Sequence, residues 1–98
     1  MSEEKREIRI HFPESLHGGA YANNMSVAHS KEEFIVDFLM IAPPAGAVTA
    51  RIVTSPGHMK RMLAALTANV QQYEDTYGEI EPATPPPGGP IQPPPTKH

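Results

Sequence analysis

The chain has 98 residues, a formal net charge of −3 and neither cysteine nor tryptophan. This length predicts one domain, and the lack of cysteine excludes disulfides, thiolate metal sites and a cysteine nucleophile. No apolar run approaches the roughly 18 residues that a membrane span needs, and the charged residues 1–7 do not resemble a signal peptide. We therefore expect a cytoplasmic protein, and its negative charge gives no general attraction for nucleic acid.

Composition divides the chain into three parts. We expect a flexible N-terminus over residues 1–6, a single domain over 7–80 and a disordered tail over 81–98. The tail holds eight of the 12 prolines and almost no apolar side chains. It cannot bury enough surface to offset its ordering entropy, so disorder or polyproline structure is predicted, and a protein partner could bind it.

The segment before the helix predicts a sheet. Residues 7–12 alternate polar and apolar side chains, as a half-buried strand does. A second strand is predicted over 21–28, a third over 33–41 and a fourth over 47–54. Helix is the rival assignment for 33–41, but its β-branched and aromatic residues favour a strand. We expect an α+β fold, a four-stranded antiparallel β-meander followed by one long C-terminal α-helix.

Turn positions predict how these strands pair. A hairpin centred on Pro44 places Asp37 opposite Arg51, which pairs the only two charges inside these strands, away from their end residues. Two further expected pairs in this hairpin are Leu39 with Thr49 and Ile41 with Ala47. In the preceding hairpin, a turn at residues 29–32 sets Val27 opposite Phe34 and Met25 opposite Val36.

The helix is predicted to begin at Pro56, directly after Ser55, and to stop at Gly78. Serine suits the N-cap, proline the first helical position and glycine the left-handed residue beyond the end. Charges oppose the helix dipole, with Lys60 and Arg61 near the start and acidic residues near the end. Either packing outweighs this cost, or the basic pair faces an acidic partner. The apolar side chains recur at helical spacing and form one stripe: Met59, Met62, Leu63, Leu66, Val70, Tyr73 and Tyr77.

The sheet has more apolar positions than one helix can cover. Five of them are expected to face the helix: Phe34, Val36, Phe38, Val48 and Ile52. The remaining positions surround the charged pair on the outer face and are our interface candidates: Ile35, Asp37, Leu39, Ile41, Arg51 and Val53. An exposed apolar face usually marks an interface, so we expect a homo-oligomer, first a dimer, with helices exchanged between subunits as one form of it. A semi-exposed face on a monomer is the alternative.

Several short motifs carry a family resemblance. They are Tyr21-Ala22-Asn23, Val27-Ala28-His29-Ser30, Glu33-Phe34, Asp37-Phe38, Arg51-Ile52-Val53-Thr54-Ser55-Pro56 with His58, Lys60 and Arg61, and Asn69 with Tyr73-Glu74 and Tyr77-Gly78. In this order they resemble a small bacterial family catalogued as domain of unknown function 3467, from about residue 8 to residue 80. The resemblance implies a stand-alone cytoplasmic protein. It supplies no activity, cofactor or catalytic residue.

The predicted order of four strands and a helix is also similar to two better understood architectures. One is the export chaperone SecB, and the other is the helix-swapped single-stranded DNA binders such as the Whirly proteins. Two functions follow as expectations, since fold alone does not decide between them. The first is a non-catalytic, homo-oligomeric protein-interaction module with chaperone-like binding. The alternative is a single-stranded nucleic-acid-binding protein of transcription or replication.

Catalytic and ligand motifs are weak in this sequence. None of the five histidines forms an i,i+4 metal pair, and no hydroxyl, base and orienting group stand together. We therefore predict no enzyme activity, no metal and no cofactor. A single-strand binder needs basic and aromatic side chains in one groove. The candidates for that alternative are Arg9, Tyr21, Lys31, Lys60 and Arg61.

Overall fold

A computed structural model describes residues 7–84 of the chain. A short 3-10 turn, Glu14–Leu16, precedes three strands, which are β1 (Asn24–His29), β2 (Phe34–Ala42) and β3 (Ala45–Thr54). The helix α1 (Pro56–Tyr77) follows directly. The strands form one antiparallel sheet in the order β1-β2-β3, so the fold is α+β. Residues 81–84 have no regular structure, and the rest of the predicted tail, like the predicted flexible residues 1–6, lies outside the described residues.

The predicted strand over residues 7–12 is wrong. These residues have no regular structure, and the side chains of Ile8, Ile10 and Phe12 are 84, 86 and 59% exposed. A segment of alternating polar and apolar residues forms a strand only when it pairs with the edge of a sheet. Within residues 7–84, residues 7–12 pair with neither edge of this sheet. The meander therefore has three strands, and the likeness to the four-stranded architectures of SecB and the Whirly proteins does not hold.

The β2–β3 hairpin confirms the predicted pairing of Asp37 with Arg51. Towards the turn, the register shifts by one residue, because Ala50 pairs with Phe38 while Val48 pairs with Leu39. Thr49 is the extra residue of a β-bulge, and its hydroxyl donates a hydrogen bond to the Phe38 carbonyl at 3.3 Å.

This bulge makes two predicted pairs wrong. Leu39 pairs with Val48 rather than with Thr49, and Ile41 pairs with Gly46 rather than with Ala47. Opposite residues share a sheet face, so Val48 lies on the face of Leu39 and not on the face predicted to meet the helix.

The β1–β2 hairpin also differs from its predicted register, by two residues. Val27 pairs with Val36, and Met25 pairs with Phe38. The turn is built by Ser30, whose N–H donates to the Glu33 carbonyl at 2.9 Å and whose hydroxyl accepts the Glu33 N–H at 3.2 Å. It begins one residue later than predicted, which moves each pair by two and leaves every side chain on its predicted face.

Both predicted ends of the helix are confirmed. The Ser55 hydroxyl accepts the His58 N–H at 3.3 Å, and Pro56 is the first helical residue. At the other end, Gly78 has φ +101° and donates its N–H to the Glu74 carbonyl at 2.9 Å. A glycine adopts this conformation without the steric cost that a side chain adds.

The helix does not lie across the sheet of its own chain, contrary to our expectation. No residue of α1 is buried, and Leu63 and Leu66 are 60 and 64% exposed. Within the described residues, the buried apolar side chains are Ile35, Val36 and Leu39, all on the central strand β2. Residues 7–84 of a single chain therefore leave the apolar surfaces of both the sheet and the helix largely open.

Candidate functional site

The central charge feature of the sheet is the pair of Asp37 and Arg51. Arg51 donates two hydrogen bonds, from Nε to Asp37 Oδ1 at 2.6 Å and from Nη2 to Oδ2 at 2.9 Å. The Asp37 side chain is 4% exposed and the Arg51 side chain 35%. These hydrogen bonds lower the pKa of Asp37 against the opposing effect of burial, and they raise the pKa of Arg51. Each charge neutralises the other, so the geometry is that of a structural cross-strand pair.

The predicted interface residues share one sheet face with this pair, as their register shows. Their exposure is uneven. Ile35 and Leu39 are 6 and 7% exposed, so their expected exposure is wrong, whereas Val53 is 46% exposed. Ile41 is half-buried. On this face Asn24 has a buried side-chain nitrogen without an acceptor among residues 7–84.

The opposite face of the sheet carries the larger apolar surface. We call it the open sheet face, and it comprises Met25, Val27, Met40 and Ile52. These side chains are 57, 48, 38 and 43% exposed and surround the buried Val36. Cross-strand pairing brings Val27, Val36 and Ile52 into one row across the three strands. The sequence indicated the apolar alternation of this face but assigned a helix to cover it.

The second apolar surface is the predicted stripe on α1. Its members Leu63, Leu66, Val70, Tyr73 and Tyr77 are between 47 and 75% exposed. The Tyr73 and Tyr77 rings contact each other at 4.9 Å between centroids, so they form a continuous aromatic end to the stripe. Met59 and Met62, at the start of the helix, are half-buried.

The nucleic-acid candidates do not form one groove. Lys31 lies in the β1–β2 turn, at the same end of the sheet as the start of α1, which carries Lys60 and Arg61. Tyr21 precedes β1 and lies towards the opposite end, about 20 Å away along strands of this length. Arg9 belongs to the irregular segment before β1. The aromatic platform and the basic residues are therefore separated.

The described part of the chain contains neither a cluster of metal ligands nor a membrane-spanning helix. Among residues 7–84, no three His, Asp or Glu side chains come together as a metal site would require. None of the helices there is both long and apolar enough to cross a membrane.

These features define a class of small α+β protein, with a three-stranded meander, a C-terminal helix and apolar surfaces left open on both. The chain belongs to the family described as "Protein of unknown function (DUF3467)", which matches residues 1–82. This confirms the family indicated by the sequence motifs. No curated protein and no solved structure is significantly similar to the chain.

Proposed function

We propose that this chain is a non-catalytic protein-interaction module that works as a homo-oligomer, with a dimer as the first expectation. The observation that supports it is the helix α1, none of whose residues is buried in a single chain. In proteins, most of the stability of a helix comes from packing of its apolar face. A 22-residue helix with a bare stripe is therefore incomplete until another surface covers it.

The size of the core supports the same proposal. Burial of a large apolar side chain contributes about 1.5–3 kcal/mol, and the described residues hold three large apolar side chains that are buried. Domains of this size bury little surface and commonly gain stability by association. Assembly of two copies through the helix stripe would remove that apolar surface from water without adding any other component.

The open sheet face is the surface we propose for binding a protein partner. Two of its four residues are methionines, Met25 and Met40, and methionine adapts its shape to different apolar partners. The chaperone-like form of this role makes a direct prediction. The protein at stoichiometric excess should suppress aggregation of an unfolded client, and Met25→Lys should reduce that effect. Lys31→Glu, a turn variant outside the face, is the control, and equal behaviour of the two variants would refute the role.

Single-stranded nucleic-acid binding is the alternative proposal, and it has less support. The basic candidates Lys31, Lys60 and Arg61 lie towards one end of the sheet, but Tyr21 lies towards the other. Titration of a fluorescently labelled oligonucleotide at two salt concentrations tests it. Binding that weakens steeply with salt would support this alternative, and no binding at low salt would remove it.

Sedimentation equilibrium over a range of concentrations tests the homo-oligomer. The chain has a mass of 10.7 kDa, and we expect a species of at least twice that mass. Leu66→Lys places a charge within the helix stripe and should shift the protein towards the monomer. Gln72→Lys, which adds the same charge outside the stripe, is the matched control. A wild-type chain that stays monomeric at high concentration would refute the proposal.

A further inference from the structure

The apolar positions of the stripe on α1 repeat along the helix more regularly than a helix needs in order to pack on a sheet. Apart from Met62, its members follow one another at alternating steps of four and three residues: Met59, Leu63, Leu66, Val70, Tyr73 and Tyr77. An alternation of this kind is the heptad pattern of helices that pair side by side. The stripe therefore indicates a helix as the occupant of this face.

The same six positions are symmetric about the level of residue 68. The six positions form three pairs whose members lie equally far on either side of this level, as Leu66 and Val70 or Leu63 and Tyr73 do. When two copies of such a helix run antiparallel about a two-fold axis at that level, each apolar residue meets an apolar residue of the other copy. An isologous interface has this self-complementarity, and an unrelated partner would not require it.

We propose that α1 pairs antiparallel with α1 of a second copy, with the two-fold axis at the level of residue 68. This proposal rests on the homo-oligomer proposed above and specifies the surface through which it forms. Leu66 of each copy packs against Val70 of the other, Leu63 packs against Tyr73, and Met59 packs against Tyr77. The open sheet faces remain available on both copies for another partner.

Charge complementarity supports the antiparallel direction. Lys60 and Glu74 occupy the same heptad position, on the same flank of the stripe and at opposite ends of the helix. In an antiparallel pair this position of one helix faces the same position of the other, so each Lys60 faces Glu74 of the second copy. The interface then contains two opposite-charge pairs related by the two-fold axis.

This arrangement also accounts for the charges that oppose the dipole of α1. Lys60 lies near the positive N-terminal end of its own helix, and Glu74 lies near the negative C-terminal end. Antiparallel pairing places Lys60 beside the C-terminal end of the second helix and Glu74 beside its N-terminal end, which is favourable. Glu74 accepts the Ile80 N–H through Oε2 at 2.9 Å.

Charge reversal provides the first test. Lys60→Glu and Glu74→Lys should each weaken the dimer about tenfold at low salt, because two attractive pairs become repulsive. The chain with both substitutions should recover wild-type affinity, and an equal mixture of the two single variants should form heterodimers in preference to either homodimer. Arg61→Glu, on the side of the helix away from the stripe, is the matched control and should leave affinity unchanged. Single variants as tight as wild type would overturn the pairing.

Distances between labels provide the second test, because the chain has no cysteine and accepts one label site per copy. Asn69→Cys lies near the proposed axis, so spin labels there should lie close together. Thr76→Cys lies eight residues from the axis, so its labels should be separated by about 24 Å along the helices. Equal separations at the two positions would indicate parallel helices and overturn the proposal.

The two proposals fail in different ways. A wild-type chain that sediments as a monomer would overturn the homo-oligomer and the helix pairing together. A wild-type dimer that is unaffected by charge reversal, with labels at Asn69→Cys far apart, would overturn the helix pairing alone. In that case Met25→Lys and Ile52→Lys, on the open sheet face, should be the substitutions that dissociate the dimer.

Discussion

The Asp37–Arg51 pair predicts an asymmetric response to removal of its two partners. Arg51→Ala leaves a carboxylate that is 4% exposed without its two hydrogen bonds, whereas Asp37→Ala leaves a guanidinium whose side chain is already 35% exposed. Water solvates the guanidinium more readily than the buried carboxylate. We therefore expect Arg51→Ala to be the more destabilising substitution.

The magnitude follows from the surroundings of the carboxylate. Leaving one charge of a buried pair unpaired typically costs 3–5 kcal/mol, but the three-stranded sheet is a single layer that water can reach after small movements. We expect a loss of about 2 kcal/mol, equivalent to a fall in Tm of about 10 °C for a domain of this size.

The pH dependence gives a second signature of the same pair. Without Arg51, burial should raise the pKa of Asp37 above its unfolded value of about 3.9, so the folded variant favours the protonated acid. The stability difference between wild type and Arg51→Ala should therefore be largest at neutral pH. It should begin to shrink as the pH falls through the raised pKa of the variant, and shrink further below about pH 4, where wild type loses its own contribution.

Thermal unfolding followed by circular dichroism measures both effects, at one fixed protein concentration because association shifts Tm. Thr49→Ala, which removes an exposed hydroxyl from the same strand, is the control for a change in β3 without loss of charge. Equal Tm values for Arg51→Ala and Asp37→Ala, or a difference from wild type that is independent of pH, would refute the reasoning.

Three further predictions concern wild type and single hydrogen bonds. Arg51 lowers the pKa of Asp37 in the folded chain, so this contribution to stability is present above about pH 4 and should be lost as the pH falls through the folded pKa, as acid titration of Tm would show. Ser55→Ala removes the N-cap of α1 and should cost about 1 kcal/mol in urea unfolding, whereas Ser55→Asp should restore it. Asn23→Ala removes the two 2.9 Å hydrogen bonds between the Asn23 side chain and the Ile41 backbone, and should lower the free energy of unfolding by about 1–2 kcal/mol. Hydrogen exchange of the Ile41 N–H should be faster in the variant, and an unchanged exchange rate would contradict this prediction.

The helix could be predicted from sequence at both ends because its signals are local. The Ser55 hydroxyl and Pro56 act within one turn of the start, and Gly78 acts at the residue where the conformation changes. Its packing could not be predicted in the same way. The stripe shows that one face is apolar, but an apolar face alone does not show whether it packs on the sheet of its own chain or on another surface.

The sheet shows where pattern reasoning fails. Alternation over residues 7–12 resembles the alternation of the real strands, but pairing with a neighbouring strand decides whether a strand forms. The Asp37–Arg51 pair could be predicted because two charges inside apolar strands have one favourable arrangement. The register beyond it could not, because no residue type marks the bulge at Thr49. The burial of Ile35 and Leu39 likewise depends on their central strand, which a list of alternating residues does not reveal.

The bulge has a consequence for solubility. β3 is an edge strand of ten residues whose only charged side chain is Arg51, and a regular strand of this kind would offer a continuous row of backbone donors and acceptors to any other chain. Thr49 interrupts that row near its middle and increases the local twist. Each uninterrupted stretch is thereby shortened to about half the strand, which hinders the stacking of further strands into fibrils. A substitution that straightened β3 would therefore endanger the protein through aggregation before it affected any partner.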